Sequence, residues 1–141
     1  LKDLAKAEEV WLVSSWREWH LKFMKVSIKN LSKLTQAKIK VFGRKDFPSF
    51  EPKKYIGLNK MERAKYEDKV NEKSLKFNKK LASIVGNDKF IDTQKMVCEF
   101  EKPKCKVFDE NGKIKTWDGA HFTRSGAKGL GEKLKTFLNY D

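Results

Sequence analysis

The hydrophobic positions of this chain fall into short apolar runs and longer stretches with helical spacing. The segments 10–13, 37–42 and 90–92 predict three strands, the second ended by Gly43 and the third ending in an aspartate. The first run, Val10 to Val13, contains no polar residue. An uninterrupted apolar run is typical of a central parallel strand, so we expect this strand to be buried on both faces.

The longer stretches predict helices from about Trp16 to Leu34, from Glu67 to Val85 and from Thr123 to Tyr140, with a short helix over 59–66. The first is predicted to turn one stripe of apolar residues toward the core: Trp16, Trp19, Phe23, Val26, Leu31 and Leu34. The second places Val70, Phe77, Leu81 and Ile84 on one face and stops at Gly86. The last is predicted to begin at a Thr123 cap and to bury Ala127, Leu130, Leu134, Phe137 and Leu138. Its glycines, Gly126, Gly129 and Gly131, are expected to allow close packing against the sheet.

Strands that alternate with helices predict an α/β fold, in the form of a three-layer α/β/α sandwich with a mainly parallel sheet. Only three core strands are recognisable, and the chain opens with Leu1 in what reads as mid-domain sequence. We therefore expect residues 1–141 to be one partial domain, the C-terminal portion of such a sandwich. Residues 44–58 contain two of the three prolines and predict a loop over the end of the sheet.

The charge balance is strongly basic, with 32 Lys and Arg against 19 Asp and Glu, a net charge of +13. Only four of the basic residues are arginines, and the lysines are spread along the chain. Nucleic-acid readers cluster Arg among exposed aromatics, so we expect no nucleic-acid partner and keep such a domain only as a distant alternative. The lysines then form an ordinary solvated surface or one attracted to anionic glycans or phospholipid headgroups. No apolar run approaches the roughly 20 residues that a membrane-spanning helix needs.

Cys98 and Cys105 are the only cysteines, with Pro103 between them at a predicted turn. Two thiols and two distant histidines are too few for a metal site, so no metal or other cofactor is expected. A structural disulfide in a small hairpin over Met96 to Phe108 fits best and implies an oxidising compartment. Two reduced, buried thiols remain the alternative.

Candidate chemistry lies near the end of the chain, where Asp118 stands three residues before His121 in a Gly-containing turn. A turn that folds back would let the carboxylate orient the imidazole and stabilise the imidazolium. These are two members of a nucleophilic triad, although such a short pattern also occurs by chance. His20, the other histidine, is expected to be an ordinary helix residue.

The block Asp118-x-x-His121-Phe-Thr-x-x-Gly126-Ala127 resembles the last conserved block of the SGNH (GDSL-type) hydrolases and O-acyltransferases. The likeness is strongest to the extracytoplasmic SGNH domains fused to acyltransferase-three-type membrane proteins. Those domains have two cysteines before the block, then a Gly-containing turn and an aromatic residue ahead of the Asp. Here these features correspond to Cys98 and Cys105, Asn111-Gly112 and Trp117, and the strand-then-Trp signature corresponds to residues 10–16.

The resemblance implies that Asp118 orients His121 as the general base of a Ser-His-Asp triad that acts on acyl esters. It also favours the Cys98–Cys105 disulfide. No Gly-Asp-Ser sequence is present, so the nucleophilic serine is expected ahead of Leu1. Where the family has Gly-x-Asn, this chain has Ser14-Ser15-Trp16. These three residues are the candidates for oxyanion or substrate binding, although capping of the strand end explains the serines equally well.

The resemblance further implies a bacterial, extracytoplasmic location at the periplasmic face of the inner membrane. The expected partners are an acylated envelope polysaccharide or an acyl donor, together with the N-terminal remainder of the same protein. In the proteins that this chain resembles, that remainder includes a membrane acyltransferase domain. Two alternatives stay open: an inactive SGNH-like module that binds glycan or supports a membrane partner, and the basic nucleic-acid-binding domain.

Overall fold

The computed structural model describes residues 2–48, 51–98 and 104–138. The described residues contain six α-helices, α1 (Lys2–Lys6), α2 (Glu18–Leu31), α3 (Lys60–Lys65), α4 (Glu72–Val85), α5 (Thr93–Cys98) and α6 (Arg124–Leu138), and one short 3-10 helix (Pro52–Lys54). They contain five strands: β1 (Glu9–Leu12), β2 (Lys38–Phe42), β3 (Glu67–Lys69), β4 (Phe90–Ile91) and β5 (Lys104–Lys106). No helix among these residues is long and apolar enough to cross a membrane.

The chain divides into two compact units, and each is described by itself. The first unit comprises Leu1–Arg44 with Glu72–Gln94, and the second comprises Lys45–Asn71 with Lys95–Asp141.

The first unit is built on a parallel three-stranded sheet in the order β1-β2-β4. This confirms the α/β class and the parallel sheet. Helices α2 and α4 pack against the β2 face that carries Ile39 and Val41, and they supply Met24, Ile28, Phe77, Leu81 and Val85 to the core. Apolar burial of these side chains is what holds the helices to the sheet.

Strand β1 lies at an edge of the described sheet, whereas the sequence predicted a central strand. Trp11 is 42% exposed and Val13, just past the strand, is 68% exposed. The prediction of burial on both faces is therefore wrong for the described residues. An apolar run shows only that each side chain could be buried. Whether the strand is buried depends on the strands and helices that pack beside it.

Helix α2 buries a different face from the predicted one. Met24 and Ile28 are buried, whereas Trp19, Phe23, Val26 and Leu34 are more than half exposed. Trp16 and Leu31 do pack against the core, as predicted. Both sides of this helix have apolar residues at helical spacing, so periodicity alone did not determine which side would be buried.

Several predicted boundaries are confirmed and others are corrected. The short helix exists as α3, with Asn59 as its cap, and α4 ends at Gly86, whose φ is 91°. The predicted start of α4 at Glu67 is wrong, because residues 67–69 form β3 and pair with β5 in an antiparallel ladder. The hairpin predicted over 96–108 is wrong for the described residues for the same reason, since residues 96–98 belong to α5. Pro103 lies outside the described residues.

The second unit has its own small core of Tyr55, Val107 and Phe108, onto which Leu58, Tyr66 and Ile114 pack. Helix α6 begins after Thr123, as predicted, and its described part ends at Leu138. The burial predicted for Ala127 and Phe137 is wrong, since both are exposed. Only Gly126 is fully buried within α6. Of its three glycines, Gly126 alone permits a close approach, to the Lys115 backbone, while Gly129 and Gly131 face open space.

Candidate functional site

The Asp118–His121 pair lies in a loop of the second unit that is closed by an antiparallel bridge between Thr116 and Phe122. Thr116 is fully buried, and its hydroxyl group acts both as a hydrogen-bond donor and as an acceptor. It donates a hydrogen bond to the carbonyl oxygen of His121 (2.7 Å) and accepts one from the amide of Gly119 (3.0 Å). Gly119 has a φ of 83°, the left-handed conformation in which glycine costs least. These interactions hold the two ends of the loop together.

Asp118 folds back over its own turn. Its Oδ1 atom accepts hydrogen bonds from the amides of Ala120 (2.8 Å) and His121 (2.7 Å). Its Oδ2 atom lies 2.6 Å from Nδ1 of His121. The His121 amide and ring, followed by the Ala120 amide, stabilise the carboxylate and hold the pKa of Asp118 well below its usual range. Asp118 is therefore an anion throughout the neutral pH range.

This geometry determines the hydrogen-bonding state of the His121 ring. A carboxylate only accepts hydrogen bonds, so Nδ1 of His121 must carry the proton. In the neutral ring the proton-accepting lone pair is then on Nε2. The His121 side chain is 75% exposed and that of Asp118 45% exposed, so a hydroxyl group from another segment or molecule has access to the ring. The arrangement is that of a general base and its orienting acid.

Residues far away in the sequence fix the loop in place. Lys45 donates a hydrogen bond to the carbonyl oxygen of Ala120, and its ammonium group lies 4.3 Å from the centre of the Phe122 ring. The amide of Phe47 donates to the carbonyl oxygen of Gly119 (2.9 Å). Burial lowers the pKa of Lys45, an effect that the charges of Asp46 and Asp118 partly oppose. Lys45, Phe47 and Thr116 were not predicted as supports of this loop, because no local sequence pattern marks them.

The loop leads directly into α6. The Thr123 hydroxyl accepts a hydrogen bond from the amide of Gly126 (3.2 Å), which confirms the predicted cap. The Thr123 amide in turn donates to the carbonyl oxygen of Lys115 (3.0 Å). His121 is thus held between a bridge on one side and a helix start on the other.

The remaining sequence-predicted candidates lie in the first unit. Ser14 and Ser15 follow β1 at its carboxyl end, and both are exposed. Trp16 is partly buried, and its indole N–H donates to the carbonyl oxygen of Phe42 (2.7 Å). Its N–H is therefore already used within the first unit. The structure brings Asp118 and His121 together within the second unit, whereas Ser14, Ser15 and Trp16 belong to the other unit.

Cys98 and Cys105 form a disulfide, which confirms that prediction and removes the alternative of two reduced thiols. The bridge joins the last residue of α5 to the middle of β5, and both half-cystines are buried. Cys105 is paired with Asp68 in the β3–β5 ladder. Downstream of β5, Asn111 and Gly112 form a turn around Asp109, whose carboxylate accepts from the amides of Asn111 and Lys113.

An open groove of about 700 Å³ runs along α6 within the second unit. Its lining includes Phe47, Phe108, Phe122 and Ser125, but His121 is not part of it. Two lysines of the lining, Lys115 and Lys133, donate to the backbone carbonyls of Val97 and Met96 at the end of α5. The groove therefore adjoins the loop through Phe122 without containing the imidazole. Among the described residues, no three His, Cys, Asp or Glu side chains are grouped as metal ligands.

Comparison with known proteins found no matching protein family, no matching curated protein and no matching solved structure.

Proposed function

We propose that this chain is part of an SGNH-type domain that transfers or hydrolyses acyl groups, with acetyl esters of a cell-envelope polysaccharide as the substrate class. The proposal includes a three-layer α/β/α sandwich completed by further strands, and an extracytoplasmic location. One observation carries it: the 2.6 Å hydrogen bond between His121 Nδ1 and Asp118 Oδ2, in a loop where the imidazole is exposed.

In this proposal His121 accepts the proton of a serine hydroxyl as the serine oxygen attacks the ester carbonyl carbon. The proton then passes from His121 to the leaving alkoxide, which leaves as an alcohol and produces an acyl-enzyme. A sugar hydroxyl or water completes the reaction by the same route in reverse. Asp118 remains ionised and holds the ring. The serine is proposed to come from a Gly-Asp-Ser-type block, which residues 1–141 do not contain, and backbone amides are proposed to hold the oxyanion.

The buried Cys98–Cys105 disulfide supports the proposed compartment, because structural disulfides persist mainly where the surroundings are oxidising. The aromatic residue Trp117, directly ahead of Asp118, is 61% exposed. Aromatic side chains at such positions suit stacking on a sugar ring. These features fit a glycan ester better than a cytosolic metabolite.

The test uses a longer polypeptide that joins this chain to the segment proposed to carry the serine. Acetate release from acetylated polysaccharide and from p-nitrophenyl acetate is measured for the parent, His121→Ala and Asp118→Asn. Loss of a triad member lowers kcat by about 10³-fold or more, so both substitutions should nearly abolish turnover.

Matched controls come from the same chain. His20→Ala removes the other histidine, and Asp88→Asn removes an exposed aspartate that pairs with Lys89. Both should leave kcat within about twofold of the parent. Activity that survives His121→Ala would refute the assignment. A folded longer polypeptide that binds the glycan but never releases acetate would instead support the inactive SGNH-like module.

A further inference from the structure

Helix α2 presents a second apolar face to solvent, on the side opposite the core. Trp19, Phe23 and Val26 are 56%, 59% and 59% exposed, and they follow one another at spacings of four and three residues. This spacing puts the three side chains on one stripe of the helix, whereas the buried Met24 and Ile28 lie on the other. We call Trp19, Phe23 and Val26 the outer stripe.

Lysines flank the outer stripe along one side. Lys22 lies three residues after Trp19 and four before Val26, and Lys29 lies three residues after Val26. On a helix these spacings make the residues neighbours. Lys25 and, just past the helix, Lys33 add to the same region, and all four lysines are exposed. The surface therefore combines apolar side chains with several positive charges.

Trp19 is held in a fixed position. Its indole ring stacks on the His20 imidazole, with 3.6 Å between ring centres and 25° between planes. The His20 ring is fixed in turn, because its Nδ1 atom accepts a hydrogen bond from the Arg17 amide (2.8 Å). A rigid aromatic side chain loses little conformational freedom when it is buried by a partner.

Charge and area decide between the occupants of such a surface. A second copy of this chain, with its net charge of +13, would place lysines against lysines. Three side chains on one helix also cover far less than the roughly 800 Å² per partner that a stable protein interface buries. An anionic lipid surface needs no such area or shape match. It accepts apolar side chains below the headgroups while lysines reach the phosphates.

We propose that α2 docks on anionic lipid bilayers, with the outer stripe inserted at the headgroup level and the neighbouring lysines on the lipid phosphates. This inference is independent of the proposed acyl chemistry, since it uses none of the residues of the Asp118–His121 loop. A His121→Ala variant should therefore bind vesicles like the parent.

The test measures co-sedimentation of the full chain with vesicles of equal parts phosphatidylglycerol and phosphatidylcholine, and with vesicles of phosphatidylcholine alone. We expect binding to the mixed vesicles only, weakening as salt is added. The double variant Trp19→Ala, Phe23→Ala should lower the partition coefficient by about tenfold or more. Trp117→Ala, which removes a similarly exposed tryptophan of the second unit, should leave it unchanged.

The contribution of the lysines to vesicle binding is tested by a matched pair of double variants. Lys22→Gln with Lys29→Gln should weaken binding several-fold more than Lys76→Gln with Lys79→Gln, which removes the same charge from exposed positions of α4. A second measurement keeps the test valid if the double variant does not fold. Brominated lipids should quench the tryptophan fluorescence of the parent, and the part of this quenching that is due to Trp19 should be absent in Trp19→Phe.

Equal binding by the parent and the Trp19→Ala, Phe23→Ala variant, if it is folded, would overturn the proposal and leave a purely electrostatic attraction. Absence of extra quenching in the parent relative to Trp19→Phe would overturn it as well. So would sedimentation showing that the chain forms a dimer that is lost on Trp19→Ala, because the outer stripe would then be an interface between copies.

Discussion

The Nδ1 atom of His121 and the Oδ2 atom of Asp118 lie 2.6 Å apart, so they are joined by a hydrogen bond. Because the carboxylate is an acceptor only, the proton of this bond belongs to the ring nitrogen. The hydrogen bond arises within four consecutive residues, and Lys45 and Phe47 hold the loop from a distant part of the sequence.

The two histidines should consequently adopt opposite tautomers. Nδ1 of His121 donates to Asp118, whereas Nδ1 of His20 accepts from the Arg17 amide. At a pH where both rings are neutral, we expect the Nδ1–H tautomer for His121 and the Nε2–H tautomer for His20. Long-range ¹H–¹⁵N correlation spectra distinguish the two forms, and His20→Ala assigns the signals. An Nε2–H tautomer at His121 would contradict the proposed orientation.

Asp118 should make folding stability depend on acid pH. Its folded pKa lies below the ordinary aspartate value of about 4, because the His121 amide and ring and the Ala120 amide stabilise the carboxylate. A depressed pKa means that the unfolded chain binds the proton first. The contribution of Asp118 to the free energy of unfolding is therefore fully present above about pH 4 and is lost as the pH falls through the pKa of Asp118 in the folded state. Urea unfolding of the parent and of Asp118→Asn should show curves that converge in acid.

Asp88→Asn is the control for the tautomer measurement, because it removes another aspartate whose pKa is lowered, chiefly by the Lys89 side chain. Asp88 belongs to the first unit and pairs with its neighbour Lys89, so its substitution should not alter the His121 tautomer. A tautomer change in Asp88→Asn would show that the histidine signals report global folding and not the loop.

Gly126→Ala should destabilise the protein, because an added Cβ would overlap the carbonyl oxygen of Lys115 and lie 2.9 Å from the Phe122 ring. Overpacking of this kind costs about 1–3 kcal/mol. Gly129→Ala, in the same helix but facing open space, should instead stabilise by up to about 1 kcal/mol, because alanine is the better helix former. Thermal unfolding of the two variants measures the contrast, and equal effects would contradict this packing.

Thr116→Val should weaken the loop, since it removes a buried hydroxyl that bonds both the His121 carbonyl and the Gly119 amide. Loss of these two part-buried hydrogen bonds costs about 1–3 kcal/mol. Thr136→Val is the matched control, because its hydroxyl makes an exposed bond to the Glu132 carbonyl. Hydrogen exchange at Gly119 should accelerate in Thr116→Val and remain unchanged in the control.

Reduction of the Cys98–Cys105 disulfide should lower the free energy of unfolding. The two cysteines are seven residues apart, and the chain-entropy relation for such a small loop gives about 2.5 kcal/mol. Denaturant unfolding of the parent is compared with that of the double variant Cys98→Ser, Cys105→Ser. An added reductant should shift the parent to lower denaturant concentrations and should leave the variant unaffected.

Local patterns predicted local structure well. Gly86 marked the end of α4, Thr123 marked the start of α6, and the short helix predicted over 59–66 is α3. These signals work because a cap or a left-handed glycine satisfies backbone groups within one helical turn. The Asp118–His121 contact belongs to the same class, since the turn between the two residues supplies its own hydrogen bonds.

Contacts between distant residues were not predictable in this way. The pairing of β3 with β5 joins residues 67–69 to 104–106, and the support of the loop by Lys45 spans 75 positions. The choice of buried face on α2 depended on β2 and α4, so Met24 and Ile28 are buried while Trp19 and Phe23 remain exposed. None of these partners can be identified from the residues that surround them in the sequence.

The sequence by itself therefore determined the parallel α/β class, the end of α4, the start of α6 and the proximity of Asp118 to His121, because the last three depend on spacing over a few residues. Only the tertiary structure decided that the chain folds into two compact units, that β1 lies at an edge and that α2 keeps a second apolar face in solvent. Burial is a property of what surrounds a side chain, and the surroundings are supplied by segments that are far away in the sequence.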